Sequence, residues 1–175
     1  MEQVILVDVQ DRQLGTMEKM EAHRKGELHR AFSIFIFNQK NEMLLQQRAI
    51  TKYHSGGLWT NACCSHPRPN EATIDAANRR LHEELEFSSP LTKIFDFQYN
   101  ASFDNGLIEH EFDHVYIGHY DGKINPNPVE VQEYCYKNVE DILASVKSHP
   151  HKYTAWFCIA FPKVIEWMAQ VKMNK

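Results

Sequence analysis

The stretch TNACCSHP, residues 60–67, sets two thiols, Cys63 and Cys64, beside an imidazole, His66. A thiol can give or take a proton, and an imidazole can do the same or ligate a metal. Side chains of an extended segment alternate between faces, so Ala62, Cys64 and His66 are expected on one side and Asn61, Cys63 and Ser65 on the other. Only Cys64 then shares a side with His66. A second stretch, LIEHEFDH at 107–114, behaves similarly as a strand: Glu109, Glu111 and Asp113 line one face and His110, Phe112 and His114 the other. Neighbouring carboxylates repel unless something positive lies between them, and a metal ion would remove the repulsion. His23, His29 and His66 are candidate partners for such an ion. No CxxC or HExxH spacing is present, so spacing alone does not define a metal site. The plain alternatives are an edge strand of alternating charges, hydrogen-bonded histidines and cysteines packed as small apolar residues.

A helix is expected over 71–87, EATIDAANRRLHEELEF, with Asn70 as its N-cap after Pro67 and Pro69. Ile74, Ala77, Leu81 and Leu85 form one apolar stripe at helical spacing. Arg79 and Glu83 lie opposite Leu81, and Arg80 and Glu84 lie one turn apart on its flank. These are either exposed ion pairs of small value, or Arg80 and Glu84 face a cleft, one for an anion and one for a cation.

The remaining elements follow from pattern. Strands are expected over 2–9, 29–38, 42–48, 93–103, 109–120 and 129–137. DRQLG reads as a turn, and TMEKMEAHRKG as a short helical turn or loop opened by Thr16 and closed by Gly26. Helices are expected at VEDILASVKSH and WFCIAFPKVIEWMAQVK, with Pro162 starting or kinking the last. Helices grouped around mixed strands point to an α+β class or an α/β/α sandwich.

With 175 residues and no internal repeat or linker, the chain fits a single domain over residues 1–175. No run of 18 apolar residues suggests a membrane span. The N-terminal apolar patch carries acidic residues and reads as a strand rather than a signal peptide, so a cytoplasmic location and four reduced thiols are expected. A net charge of −4 argues against nucleic acid or an anionic membrane as partner; an anionic ligand would need a local basic cluster.

The helix resembles the Nudix box at Glu71, Arg79, Leu81, Glu83, Glu84 and Phe87. It departs at Ser65 and Glu86, where the box has glycine, and at Arg80, where it has glutamate. Nudix hydrolases use the full carboxylate set to hold divalent metal against a diphosphate, so Arg80 better suits a diphosphate that is bound and not cut. Taken together, HRAFS, EMLLQQR, WTNACCSHP, RRLHEEL, EHE and YTAWF resemble type I isopentenyl diphosphate isomerase, in the same order from about residue 19 to residue 160. That resemblance implies a Nudix-like α/β/α sandwich with a mixed sheet and an N-terminal extension. It implies conversion of isopentenyl to dimethylallyl diphosphate, with a small-molecule diphosphate as partner and a monomer as the working expectation. It implies that His23, His29, His66, Glu109 and Glu111 bind zinc or manganese, a donor set that suits those ions better than calcium or magnesium. Glu84 would help hold magnesium with the diphosphate. Cys64 and Glu111 would be the acid–base pair, with Tyr99 beside the glutamate and Trp156 over the substrate. Lys19, Arg48, Lys52 and Arg80 would meet the diphosphate. A thiol near metal or basic residues is expected to ionise more readily than a free one. The rival readings are a Nudix pyrophosphohydrolase and a binding domain without turnover.

Overall fold

The computed structural model describes residues 1–173. Strand β3 (His29–Phe37) organises the fold, because its long β-branched and aromatic run alternates between two apolar layers. Phe32, Ile34 and Ile36 pack on helix α2 (Thr73–Leu85) through Ala76, Ala77, Leu81 and Leu85. Phe35 and Phe37 pack on helix α4 (Ala155–Met173) through Trp156, Phe157, Ala160, Phe161 and Val164. The result is an α/β/α sandwich.

Strand β8 (Ile108–His119) runs parallel to β3, from His29 opposite Glu111 to Phe37 opposite His119. Strand β6 (Cys63–Ser65) lies antiparallel on the other edge, with Ser33 opposite Cys64 and Ile34 opposite Cys63. Strand β7 (Thr92–Ser102) pairs with β8, placing Tyr99 opposite Glu111. Strand β4 (Met43–Arg48) leaves β3 after the hairpin pair Phe37–Met43 and continues the sheet through β5 (Trp59–Thr60) and β9 (Val131–Lys137). Strands β1 (Gln3–Val7) and β2 (Gln13–Glu18) form an N-terminal hairpin joined to β3 at Leu6–His29. Helix α1 (Lys19–Lys25) follows it, and helix α3 (Val139–Ser148) covers the α4 face through Ile142.

Three local expectations are corrected and one, for Pro162, is narrowed. Gln13 to Gly15, read as part of a turn, belong to β2, because the turn is made earlier by Asp8 to Arg12. Thr16 lies in that strand; the N-cap of α1 is Glu18, whose carboxylate accepts from the Met20 and Glu21 N–H groups. Asn70 does not cap α2: its backbone is left-handed at φ 64, and the helix starts from an Ala72 N-cap without a side-chain hydrogen bond. Pro162 sits inside α4 and does not begin it. That helix is seated instead by Thr154, whose N–H donates to the Trp59 carbonyl and whose hydroxyl donates to Thr60 Oγ1 at 2.9 Å.

Candidate active site

Sheet register assembles the site on the α4 face. His29, at the start of β3, lies beside Glu111 of β8, and Tyr99 of β7 lies beyond it. Helix α1 supplies His23, and the segment after β6 supplies His66. His23, His29, His66 and Glu111, all buried, bring ligand atoms within 4.8 Å of one another. His66 Nε2 lies 2.9 Å from Glu111 Oε1, and His29 Nε2 lies 3.7 Å from the same oxygen. The Tyr99 hydroxyl is 2.6 Å from Glu111 Oε2 and 3.0 Å from Glu109 Oε2.

The donor set fits a divalent cation. His23 Nδ1–H donates to the Lys19 carbonyl at 2.7 Å, and His29 Nδ1–H donates to the Glu27 carbonyl at 2.8 Å. Each bond fixes the tautomer that leaves an Nε2 lone pair, the arrangement metal-ligating histidines adopt. His23 Nε2 is buried without a hydrogen-bond partner, and His29 Nε2 faces His66 Nε2 at 3.2 Å. Burial depresses His23 and His66 to about 4, so both imidazoles are neutral near pH 7. Burial raises both carboxylates, but His29 and His66 outweigh it at Glu111, which stays ionised. Glu109, with Glu111 beside it, is pushed up and holds a proton while no ion is present.

Cys64 is half-buried on this same face. Its S–H donates to Asn61 Oδ1 at 3.1 Å, and its sulfur lies 3.3 Å from Ser33 Oγ, which donates to Asp113 Oδ2 at 2.6 Å. The expected easier ionisation does not appear. Burial, with Asp113 nearby, pushes the thiol above its ordinary value, so Cys64 holds its proton. Cys63 is fully buried on the opposite face, in the α2 core. The strand alternation therefore separates the two thiols, but it fails upstream of β6: Ala62 joins the core of Cys63, and Asn61 turns to Cys64. Trp156 is buried in the first turn of α4, lines the inner chamber with Cys64, Tyr99, Glu109 and Glu111, and carries the Arg48 guanidinium 5.1 Å from its ring centroid.

Outside that chamber lies a cavity of about 370 Å³ lined by Lys19, Arg48, Lys52, Arg68, Arg79 and Arg80. Glu2 and Glu130 line it too, but six cations against two carboxylates still supply the local excess of positive charge that an anion needs in an acidic chain.

The NUDIX domain family matches residues 27–157. The chain is 49% identical over 173 residues to an isopentenyl-diphosphate Delta-isomerase of Pectobacterium atrosepticum, covering 99% of this chain and 97% of that protein. It is 50% identical over 156 residues to one of Burkholderia multivorans, covering 89% of each. The chain belongs to the isopentenyl-diphosphate Delta-isomerase family. The fold of DR0079 from Deinococcus radiodurans is also similar, with a TM-score of 0.78 at 17% identity over 93% of this chain and 98% of that one. At that identity the likeness speaks for the fold alone.

Within this isomerase family member, Glu84 does not join the His/Glu cluster. It is buried on the α2 side near Cys63, where Arg80 donates to it at 2.6 Å and Gln46 at 3.0 Å. Arg79 bonds both oxygens of Glu71 and both of Glu83, so the box carboxylates are matched by the chain's own arginines. The pairs of Arg79 and Arg80 are half-buried and linked, and do not form two separate exposed bridges. Four residues escaped the sequence reading: Glu2, Ser33, His54 and Glu130. Glu130 bonds Lys52 and lies 3.2 Å from Arg80, and Glu2 bonds Lys19 at 2.9 Å. Ser33 and Asp113 stand behind Cys64, and His54 lies 2.9 Å from Glu109 Oε1. A lone acidic residue in a turn, or a lone histidine in a glycine loop, has no periodic signal to expose it.

Proposed function

We propose that this enzyme moves the double bond of isopentenyl diphosphate to give dimethylallyl diphosphate, using Cys64 and Glu111 as its acid–base pair. The observation that carries the reading is their meeting in one buried chamber, floored by Trp156, beside a cationic cavity. One group protonates the terminal alkene carbon, leaving a tertiary cation at the branched carbon. The other removes a proton from the adjacent methylene, and the double bond forms there. The protonated thiol of Cys64 favours it as donor, held toward the chamber by Ser33 and Asn61. Glu111, ionised and bonded by Tyr99, suits acceptance of the proton. The indole face of Trp156 stabilises the cation by about 2 kcal/mol when water is excluded. Burial of the chamber keeps water from capturing the cation as an alcohol.

A zinc or manganese ion held by His23, His29, His66, Glu109 and Glu111 would fix the carboxylates and tune their acidity. Lys19, Arg48, Lys52 and Arg80 would bind the diphosphate, with magnesium as its counter-ion. Glu84 would meet that magnesium with an oxygen that already accepts from Arg80 or Gln46. Strands drawn from both ends of the chain join one sheet, which supports a single domain.

Proton NMR of isopentenyl diphosphate turnover in deuterated water tests the reaction. Deuterium should enter the product at both exchanging carbons. Phosphate release from nucleoside diphosphate compounds without deuterium uptake would favour the hydrolase instead, and binding without either would favour a domain without turnover.

A further inference from the structure

The loop between β4 and β5 carries a histidine for which the acid–base scheme has no use. His54 is buried, and its ring is fixed by three others. It stacks on Phe103 with centroids 4.8 Å apart and meets Tyr53 and Trp156 edge-on at 4.4 and 5.9 Å. The Arg48 guanidinium donates to its carbonyl at 3.3 Å. The loop around it is equally constrained. A Cβ on Gly56 would lie 2.5 Å from the Ile50 carbonyl oxygen, and Gly57 has φ +78. A side chain held this firmly is placed for a purpose.

Its Nδ1 is 3.2 Å from Ser55 Oγ. Its Nε2 is 2.9 Å from Glu109 Oε1 but not aligned to bond it, and is buried without a hydrogen-bond partner. Two other imidazole nitrogens in this space are orphaned, His66 Nδ1 and His23 Nε2, and His23, His54 and Glu109 bring ligand atoms within 4.8 Å of one another. A second donor set therefore adjoins the first and shares His23 with it. Two ions cannot both use His23: its Nδ1 is committed to the Lys19 carbonyl, and Nε2 has one lone pair. One ion at His23 can draw on both sets, with Glu109 and His54 reaching it from one side.

We propose that His54 is a further ligand of the divalent ion, completing four imidazoles and two carboxylates. The proposal rests on reading the His/Glu cluster as a metal centre. Six protein donors make an octahedral sphere, and a fourth imidazole moves the site from oxygen-preferring manganese toward nitrogen-preferring ions such as zinc.

The test uses chelator-stripped full-length protein titrated with zinc against a competing chelator, with X-ray absorption on the zinc-loaded form counting imidazoles. The wild type should take one equivalent with four imidazoles. His54→Ala and His54→Gln should each weaken zinc by about tenfold or more, lose one imidazole from the count and shift preference toward manganese. When metal-free, His54→Gln should melt close to the wild type and His54→Ala lower, because truncation leaves a cavity among the three rings, so the Gln variant separates lost ligation from lost folding. Unchanged zinc affinity and imidazole count in the two His54 variants, with zinc lost in His66→Ala, would overturn this proposal alone. Two equivalents in the wild type falling to one in His54→Ala would overturn it in favour of a separate site. Zinc retained in full by His66→Ala would overturn the metal centre and the proposal together.

Discussion

On the α2 face, Glu71, Glu83, Glu84 and Glu130 all meet Arg79, Arg80 or Lys52. On the α4 face, two carboxylates meet four imidazoles, and His23, His54 and His66 keep ring nitrogens without partners. Both regions concentrate charge next to the core, yet only the first neutralises it internally. On the α2 face arginines occupy the carboxylates, and the donors left without partners lie across the sheet on the α4 face. Each face also owns one thiol of the adjacent pair, Cys63 on the first and Cys64 on the second, and the comparison can be broken or sharpened from there.

The largest effect should come from exchanging the thiols. Cys64→Ala should cut the isomerisation rate by about a thousandfold or more, the upper range for a lost acid–base group. Its fold and bound metal should survive, since Cys64 is not in a closed core. Cys63→Ala should keep the rate within a few-fold and cost about 1 kcal/mol of stability, measured by denaturant unfolding, because it removes one buried sulfur from the α2 core. An electrophilic analogue such as an epoxide should modify Cys64 or Glu111 and spare Cys63. A dead Cys63→Ala enzyme would reverse the assignment of faces.

Comparable in size is metal removal, which should abolish activity, with zinc or manganese restoring it. His66→Ala should lower bound metal, read by elemental analysis. Metal-free protein should also respond to acid. His23 and His66 are held at about 4 in the fold, against 6.5 for a free imidazole. A depressed group stabilises the fold above its unfolded value and loses that contribution as pH falls toward its folded one. Unfolding stability should therefore drop between about pH 6.5 and 4. His29, Glu109 and Asp113 are raised and act in the opposite sense, while His54 and His114 are lowered and add to the drop, so the net loss should be smaller than His23 and His66 alone would give. Bound metal should shift the loss to lower pH, because protons must then displace it. A flat stability profile in metal-free protein would remove the contrast between the faces.

What the sequence exposed follows its periodicities. The α2 stripe was legible because four apolar residues repeat at helical spacing, and the Glu109–Glu111–Asp113 row because a strand alternates. The separation of Cys63 from Cys64 was legible within β6 and nowhere upstream, since Asn61 and Ala62 lie outside the strand. Convergence of His23, His29, His66 and Glu111 was not, because it depends on β3 and β8 being parallel neighbours, which alternation cannot reveal. The family resemblance supplied that grouping. Glu2, Glu130 and His54 had neither signal. Burial of Cys64 was equally hidden, so the upward push on its thiol in the metal-free fold had no signal.

Trp156 should show an intermediate effect. Trp156→Phe should retain part of the rate, and Trp156→Leu should lose about thirtyfold, the equivalent of 2 kcal/mol of cation–π stabilisation. The two should be compared at equal melting temperature, because Trp156 also belongs to the α4 core. Equal losses in both would assign it to packing.

The smallest effect concerns the cleft that the α2 network borders. Arg80 is a poor probe of anion binding, because removing it strands the buried Glu84 and mixes lost binding with lost folding. Lys52 is partly exposed, lines the same cavity and shares Glu130 with Arg80. In Lys52→Gln, Glu130 keeps one partner and the fold should hold. The KM for isopentenyl diphosphate should rise by roughly threefold to tenfold, with kcat little changed, because a diphosphate contact far from the reacting carbons binds ground and transition states alike. The rise should shrink as salt is added, since the Debye length falls to about 3 Å at 1 M. The variant should release no phosphate. A KM that ignores both the substitution and the salt would place the anion outside this cavity, leaving the paired charges of the α2 face with a structural role alone.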